Sequence, residues 1–342
     1  MSTADNSLEY FIAKALEYGR EQFDALSQSR RQALRLGVRW FHFAESEELL
    51  GNDALRCFGA PSPAAAGESS GAVYADYSGW HMGAGFADQV RRKENQIEFD
   101  ASLARRGWRA SYNPERNSWD LFDTETKFGV RLLPGRDHQA EWEATAPLAH
   151  LCRWMSEANG LLMLHAASIA HGSRGALLVG SGGAGKSGTT LGGMIHGLSS
   201  AGDDYTLIAP GRAEAAYCTV KQDPSGLARL GLPSNLPLNW QGKAVFRPEE
   251  IIGKAISRQA PVNVILLPQI GAERTSFSPI DSAMAFKILT FSTLAQLGSG
   301  YERLFRACAP LVRDLPAYRL HLSGDPKEVA DALTEFLESR LC

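Results

Sequence analysis

Long apolar runs are absent from this sequence of 342 residues. Its longest apolar segments, such as residues 161–164 and 262–268, have the length of a β-strand, whereas a membrane-spanning helix needs roughly 20 apolar residues. The N-terminal segment is charged and amphipathic, and it lacks the basic start and apolar core of a secretory signal. We therefore expect a cytoplasmic protein with no membrane span.

Cysteine and net charge are also scarce. The five cysteines, at positions 57, 152, 218, 308 and 342, form no C-x-x-C pair, which argues against a disulfide framework or a zinc site. The formal net charge is only -3, with 35 basic and 38 acidic residues, so the chain has no overall attraction for nucleic acid or anionic lipid. We expect no nucleic-acid partner.

The length and the hydrophobic content of 44% are sufficient for two domains with separate cores. No internal repeat is visible in the sequence. We place the domain boundary after residue 110, so that residues 1–110 form an N-terminal α+β accessory region that recognises an acceptor. Residues 111–342 then form a catalytic domain that carries the motifs below. The sequence leaves open whether the chain forms a homo-oligomer.

Hydrophobic spacing predicts a helix over residues 7–27 and a β-hairpin over residues 119–133. A single strand is expected over residues 161–169, and strands and helices alternate from there to the C-terminus, which is typical of an α/β domain. The basic run 30–35 is expected to lie on a solvated helix face, and residues 61–71 to form a linker or mobile loop.

Residues 180–187, Gly-Ser-Gly-Gly-Ala-Gly-Lys-Ser, match the phosphate-binding pattern G-x-x-x-x-G-K-[ST]. In that pattern the backbone N–H groups surround phosphate oxygens, the lysine reaches the terminal phosphates and the hydroxyl holds Mg²⁺. Apolar residues 176–179 predict a strand before the loop, and a helix is expected from Lys186 to about Leu198. The alternative is a Gly-rich turn, but motif and context agree on a nucleoside triphosphate site. The predicted binding residues of this segment are Gly180, Ser181, Gly182, Gly183, Ala184, Gly185, Lys186, Ser187, Gly188 and Thr189.

Two adjacent carboxylates, Asp203 and Asp204, follow that helix and precede a predicted strand over residues 205–208. The separation places them at a strand edge beside the loop. Mg²⁺ bound to ATP usually takes one or two carboxylates, and another carboxylate can accept the proton of an acceptor hydroxyl. Adjacent residues of an extended chain point to opposite sides, so we expect different roles for the two. The alternative is an Asp-rich turn without chemistry.

His165 lies on the predicted strand that precedes the loop strand. An isolated histidine on an apolar strand is usually a core residue. Its expected nearness to the loop favours a function, either orienting an aspartate or meeting developing phosphate charge. The other seven histidines have no metal-ligand spacing.

Three segments resemble the HPr kinase/phosphorylase family, and in particular the HPr-kinase-related bacterial serine kinases. These are the His-Ala-Ala that begins at His165, the strand and loop of residues 175–187, and the Ala-Gly-Asp-Asp-Tyr of residues 201–205. The likeness covers roughly residues 110–340. It implies the P-loop fold shared with phosphoenolpyruvate carboxykinases, in which a mixed β-sheet carries the loop.

The same resemblance implies roles for individual residues. Asp203 is the base that deprotonates the acceptor, and the acid in reverse transfer, while Asp204 and Ser187 hold Mg²⁺. His165 supports the aspartate, and Lys221 meets phosphate or acceptor and joins the nucleotide-binding set. The implied catalytic residues are thus Asp203, His165 and Lys186.

The sequence therefore predicts an ATP-dependent kinase that transfers the γ-phosphoryl group to a hydroxyl of a peptide, protein, small alcohol or sugar, with ATP and Mg²⁺ as cofactors. The alternative is a nucleotide-gated interaction protein that binds ATP without turnover. This alternative follows from Gly188, Gly192 and Gly193, which each cost about 1 kcal/mol in helix propensity. The helix after the loop would then be only weakly stable without a ligand. A carboxykinase-like decarboxylation has the least support, because the sequence contains no recognisable binding site for an oxyacid substrate.

Overall fold

Two separately packed units make up the chain, Met1–Gly160 and Leu161–Cys342. Among the residues that the structure describes, no helix has the length and apolarity needed to cross a bilayer. The computed structural model describes residues 3–46, 55–59, 69–78, 103–135, 138, 141–297 and 301–339.

Within the described residues, the first unit consists of two α-helices and a six-stranded mixed sheet. The strand order is β1-β2-β3-β6-β5-β4; β2, β3 and β6 run parallel, and the other neighbouring pairs are antiparallel. The predicted N-terminal helix and the hairpin over residues 119–133 are confirmed. In chain order the elements are α1 (Thr3–Ala25), β1 (Gln32–Leu36), β2 (Arg39–Glu45), β3 (Ser69–Asp76), β4 (Trp108–Asn113), β5 (Ser118–Asp123), β6 (Phe128–Leu132) and α2 (Ala149–Ala158).

Helix α1 packs on the strands because its apolar residues recur every three or four positions. Leu8, Ile12 and Ala15 are buried in one core with Val130 of β6. Gly19 lies where the helix comes closest to the sheet, since a Cβ at this position would be 2.4 Å from Val130 Cγ2. The helix therefore joins the early strands and the hairpin in a single core.

The expected domain boundary after residue 110 falls inside β4, whereas the first unit ends at Gly160. The reason is that β6 pairs with β3, so the strands β4 to β6 extend the sheet begun by β1 to β3. Pairing between strands that are far apart in sequence leaves no trace in local hydrophobic spacing.

The basic run 30–35 does not lie on a helix face, so that expectation was wrong. The segment forms a 3₁₀ turn, Gln28–Arg30, and then strand β1, which pairs with β2. The Arg35 guanidinium lies 4.0 Å from the centre of the Trp40 ring, which keeps the charge at the surface of a strand pair. Residues 61–68 of the expected linker lie outside the described residues, and residues 69–71 begin β3.

A buried ion-pair cluster ties β5 and β6 to the segment before α2. Arg131 donates from Nε and Nη2 to the two oxygens of Asp120, at 2.7 and 2.8 Å, and its Nη1 lies 2.5 Å from Glu143 Oε2. Glu143 also accepts from the Leu148 N–H at 2.9 Å. Burial alone would raise the pKa of Asp120, but the charge of Arg131 holds that pKa well below its ordinary value. Each buried charge in the cluster thus has an opposite charge in contact.

Replacing Arg131→Met should lower the free energy of unfolding by about 3–5 kcal/mol, because two buried carboxylates lose their counter-charge. Urea unfolding followed by tryptophan fluorescence measures this, since six of the seven tryptophans lie in residues 1–160. As a matched control, Arg106→Met removes an arginine that pairs with Glu9 but is 54% exposed, and should cost less than about 1 kcal/mol. Equal effects of the two substitutions would contradict the stabilising role of the cluster.

The second unit, in its described residues, contains a five-stranded mixed sheet, a four-stranded antiparallel sheet and a two-stranded sheet. Their strand orders are β16-β17-β15-β9-β8, β14-β11-β10-β7 and β12-β13. The strands are β7 (Leu162–Leu164), β8 (Ala166–His171), β9 (Arg174–Val179), β10 (Thr206–Ala209), β11 (Arg212–Ala215), β12 (Val220–Gln222), β13 (Ala244–Phe246), β14 (Gln259–Pro261), β15 (Val264–Ile270), β16 (Ser276–Pro279) and β17 (Ala317–Leu322). The helices are α3 (Lys186–Ile195), α4 (Pro224–Arg229), α5 (Pro248–Ile252), α6 (Ser282–Leu297), α7 (Tyr301–Asp314) and α8 (Pro326–Ser339).

The five-stranded sheet is covered on both faces. Its central strands β9 and β15 are parallel to each other, and their side chains alternate between two cores. Leu177 and Val179 share a core with residues of α6 and α7, whereas Ala176 and Leu178 share a core with residues of α8. The expected α/β class is confirmed, with sheets that mix parallel and antiparallel pairing.

The expected single strand over residues 161–169 was wrong, because it is divided at His165. Strand β7 pairs with β10 in the four-stranded sheet, whereas β8 pairs with β9 in the five-stranded sheet. A continuous apolar run does not reveal where a strand changes its partner. His165 therefore lies between two sheets rather than within one.

Candidate functional site

The loop of residues 180–185 connects the end of β9 to the start of α3. Gly183 and Gly185 have φ angles of 83° and 105°, in the region that favours glycine. A Cβ at Gly185 would also lie 2.6 Å from Leu322 Cδ1 of β17. The strand and helix expected on the two sides are present, although α3 ends at Ile195 rather than near Leu198.

Lys186 folds back along this loop. Its Nζ donates to the carbonyl oxygens of Gly180 and Ser181, at 2.6 and 3.1 Å, and the residue is only 7% exposed. Burial lowers the pKa of the ammonium and the charge of Lys243 acts in the same direction, while two neighbouring carboxylates oppose them. The lysine is thus held by the main chain of the loop, through hydrogen bonds that phosphate oxygens can replace.

Asp203 is 2% exposed, and its two oxygens have different surroundings. Oδ2 accepts from the Lys221 N–H at 3.0 Å, whereas Oδ1 is buried with no hydrogen-bond partner in the part of the chain that the structure describes. Burial raises the pKa of this carboxyl to about 6, although the Lys221 N–H and the nearby Ser187 hydroxyl act in the opposite direction. A buried carboxylate oxygen without a hydrogen-bond partner is stabilised when a cation or a hydrogen-bond donor binds to it.

Asp204 lines the cavity described below, and 29% of its side chain is exposed. Its Oδ2 lies 2.6 Å from Lys221 Nζ and its Oδ1 lies 3.2 Å from His165 Nε2. Burial alone would raise the pKa of Asp204, but the hydrogen bond from His165 and the charge of Lys221 hold it well below its ordinary value. Residues 203–204 form a bend before β10 rather than an extended segment. The expectation that the two side chains point to opposite sides of a strand therefore does not apply. The two carboxylates nevertheless have opposite pKa shifts.

His165 is held by three contacts. Besides Asp204, its Nδ1 lies 2.6 Å from the Ser292 hydroxyl, and its main-chain N–H donates to Thr293 Oγ1 at 3.2 Å. Both hydroxyl residues belong to α6, and Ser292 is 127 residues away in sequence. The histidine is 4% exposed, but its ring joins a polar network rather than an apolar core.

A cavity of about 720 Å³ brings most of the predicted residues together. Gly180, Ser181 and Asp203 do not line it; the first two hold Lys186, and Asp203 accepts from Lys221. The predicted residues that line the cavity are Gly182, Gly183, Ala184, Gly185, Lys186, Ser187, Gly188, Thr189, His165, Asp204 and Lys221.

Several residues of this region were not predicted from the sequence. Arg229 and Lys243 line the cavity as further positive charges, and Ser292 and Thr293 hold His165 from α6. Arg229 and Lys243 lie in segments without a known motif. Ser292 and Thr293 lie in a largely apolar helix. No local pattern could have singled them out.

The residues of the site fit Mg²⁺ and a phosphate chain. The unpaired Oδ1 of Asp203 is a hard oxygen ligand beside Ser187, and a Cβ at Gly182 or Gly183 would meet nothing within 4 Å, which leaves the loop open to a ligand. No group of three or more His, Cys, Asp or Glu in the described residues could hold a metal by itself. Mg²⁺ does not require such a group, since phosphate and water supply its other ligands.

Asp203→Asn should stabilise the protein at pH 8 in the absence of Mg²⁺ and nucleotide. The pKa of Asp203 is raised from 3.8 to about 6 on folding, so its favourable contribution is complete below pH 3.8 and is lost as the pH rises through 6. The gain should approach about 3 kcal/mol at pH 8 and vanish near pH 4. Chemical unfolding at both pH values measures it, with Asp314→Asn, whose carboxylate is 61% exposed, as the control that should change little. A loss of stability at pH 8 would contradict the assigned pKa.

No family model matches the chain, and a comparison with curated proteins gives no match. The resemblance to HPr kinases therefore rests on the quoted residues alone and stays a prediction, so the function is inferred from the geometry of the site.

Proposed function

We propose that this chain is an ATP-dependent phosphotransferase that moves the γ-phosphoryl group to a hydroxyl acceptor. One observation carries the proposal: a loop with the phosphate-binding pattern, a buried carboxylate with an unpaired oxygen and a second carboxylate open to the cavity meet in one site. A phosphate loop alone is common to many functions, whereas this set supplies each group that phosphoryl transfer needs.

The nucleotide is held by the loop and by the first turn of α3. The main-chain N–H groups and the positive end of the helix dipole attract phosphate. Lys186 exchanges its two carbonyl contacts for phosphate oxygens. Arg229 and Lys243 also line the cavity, together with the carboxylate of Asp223, and their positive charges favour an anionic ligand.

Ser187 and Asp203 are the groups that would hold Mg²⁺. When bound, the ion neutralises phosphate oxygens and orients them. Asp203 fits this role because its Oδ1 is buried and unpaired, its carboxyl is close enough to Ser187 for that hydroxyl to lower its pKa, and it does not line the cavity that an acceptor would enter. This exchanges the roles that the family resemblance implies for the two aspartates.

Asp204 is the better candidate for the base. A general base must come within hydrogen-bond distance of the proton that it removes, and of the two aspartates only Asp204 lines the cavity. His165 and Lys221 fix its carboxylate from two sides. Its lowered pKa is compatible with the role, because phosphoryl transfer passes through a loose transition state and needs little help from a strong base.

The acceptor class is a serine of a peptide or protein, or a small alcohol or sugar. A cavity of about 720 Å³ has the size of a pocket for small ligands. The mixed sheet in which β9 lies between antiparallel β8 and parallel β15 supports a fold of the HPr kinase and phosphoenolpyruvate carboxykinase type. The first unit is the candidate for acceptor recognition.

The second candidate function is that of a nucleotide-gated interaction protein. The glycines of α3 support it less than the sequence suggested. A Cβ at Gly193 would lie 2.6 Å from Ile169 Cδ1, and a Cβ at Gly192 would lie 3.2 Å from Pro326 Cβ. Close packing therefore accounts for these two glycines. Only Gly188, where a Cβ would meet nothing within 4 Å, still suggests a helix softened for a ligand.

Substitution of each aspartate should separate the two roles. Asp204→Asn should leave the affinity for Mg·ATP within about threefold while lowering transfer by about 100-fold or more, because only the proton acceptor is lost. Asp203→Asn should abolish the enhancement of ATP binding by Mg²⁺. Calorimetric titration of ATP with and without Mg²⁺ measures both affinities, and Lys186→Ala should weaken binding in either condition. The opposite pattern in the two asparagine variants would restore Asp203 as the base.

Incubation with γ-labelled ATP and a fractionated cell extract should label one acceptor species, identified by mass. The Asp204→Asn protein provides the control, because it retains the nucleotide site but should not label the acceptor. Tight ATP binding with neither turnover nor labelling in any fraction would favour the nucleotide-gated protein instead.

A further inference from the structure

Ser292 connects two parts of the site that belong to different elements. Its Oγ lies 2.6 Å from His165 Nδ1 and donates to the carbonyl oxygen of Gly180 at 2.9 Å. Gly180 is the first residue of the phosphate loop, and His165 contacts Asp204 through its other nitrogen at 3.2 Å. A single hydroxyl on α6 thus touches both the loop and the histidine that orients the proposed base.

The hydroxyl can make these two contacts in only one way. A serine has one proton to donate, and a carbonyl oxygen can only accept, so the Ser292 proton goes to Gly180. Its oxygen must then accept from His165, which requires a proton on Nδ1. Nε2 faces Asp204 at 3.2 Å, and an ionised carboxylate can only accept, so this nitrogen donates as well.

The geometry does not suit a purely structural serine. A hydroxyl on a helix commonly bonds a carbonyl of its own preceding turn, as Thr290 does with Phe286 at 2.7 Å. Ser292 instead directs its hydroxyl to two groups outside α6. It does not line the cavity, so it is no candidate for a nucleophile.

The Gly180 carbonyl accepts from Lys186 Nζ at 2.6 Å as well as from Ser292. When Lys186 leaves this carbonyl for a phosphate oxygen, Ser292 keeps it paired. The same hydrogen bond makes the position of the His165 ring dependent on the position of the loop.

We propose that Ser292 is a positioning residue that fixes the His165 ring by accepting from its Nδ1–H and ties the ring to the phosphate loop. This proposal rests on the proposed function, because His165 is taken to orient the base of a phosphoryl transfer. The hydrogen bond between the Ser292 hydroxyl and the His165 imidazole can be tested without catalytic turnover.

Nitrogen NMR of protein labelled with ¹⁵N-histidine, without nucleotide at pH 8, tests the arrangement directly. His165→Gln identifies the signals of His165 by their loss. In the wild-type protein Nδ1 should give the resonance of a protonated nitrogen, and in Ser292→Ala that resonance should be lost while Nε2 keeps its proton beside Asp204. Ser292→Thr keeps the hydroxyl and should restore the wild-type spectrum.

Ser282→Ala provides the matched control, because Ser282 lies on the same helix and is exposed. It should leave the His165 signals unchanged. An unprotonated Nδ1 in the wild-type protein would overturn the proposal even if Ser292→Ala did not fold, and an unchanged spectrum in a folded Ser292→Ala protein would do the same.

The tie to the loop is tested by adding Mg·ATP to the same samples. Binding, measured separately by calorimetry, should shift the His165 signals of the wild-type protein and of Ser282→Ala, and shift those of Ser292→Ala much less. Equal shifts in all three proteins would overturn the tie. Absence of any nucleotide binding would refute the proposed function but would leave the result on the Nδ1 proton standing, so the two failures are distinguishable.

Discussion

Lys221 binds two neighbouring aspartates with two different groups, and the chemistry of the site depends on that division. Its main-chain N–H reaches Asp203 and its ammonium reaches Asp204. A neutral donor offsets little of the cost of burying a carboxylate, whereas a full positive charge offsets much more. Burial raises the pKa of Asp203, whereas in Asp204 the hydrogen bond from His165 and the charge of Lys221 together outweigh burial and lower the pKa, although the two residues are adjacent in sequence.

The first unit contains buried carboxylates that are paired with a positive charge. Asp120 and Glu143 both contact Arg131, which places a positive charge against each of them. Asp203 has no such partner for its Oδ1 among the described residues. Incomplete pairing of a buried charge is unfavourable for folding, so its presence beside a phosphate-type loop supports the proposed Mg²⁺ site.

The parts of the structure that depend on local sequence could be predicted. The strand, loop and helix around Lys186 follow from a short motif, and the position of Asp203 and Asp204 follows from the length of one helix and one turn. The contacts that complete the site could not be predicted in this way. Ser292 meets His165 across 127 residues of chain, and β6 joins β3 to place residues 111–160 in the first unit. Such pairings depend on how elements pack, and neither motif nor periodicity records them.

The division of the expected strand at His165 has a consequence for how the site responds to strain. His165 lies between two sheets with separate strand pairing, since β7 pairs with β10 and β8 pairs with β9. His165 and Asp204 both lie next to the β7–β10 pair, in which Leu164 is opposite Thr206, so a displacement of the five-stranded sheet against this pair would move the loop after β9 relative to both residues. The distance from the loop to His165 and Asp204 is thus set by the alignment of two sheets, and substitutions far from the cavity that alter this alignment would change the cavity while leaving the pairing within each sheet intact.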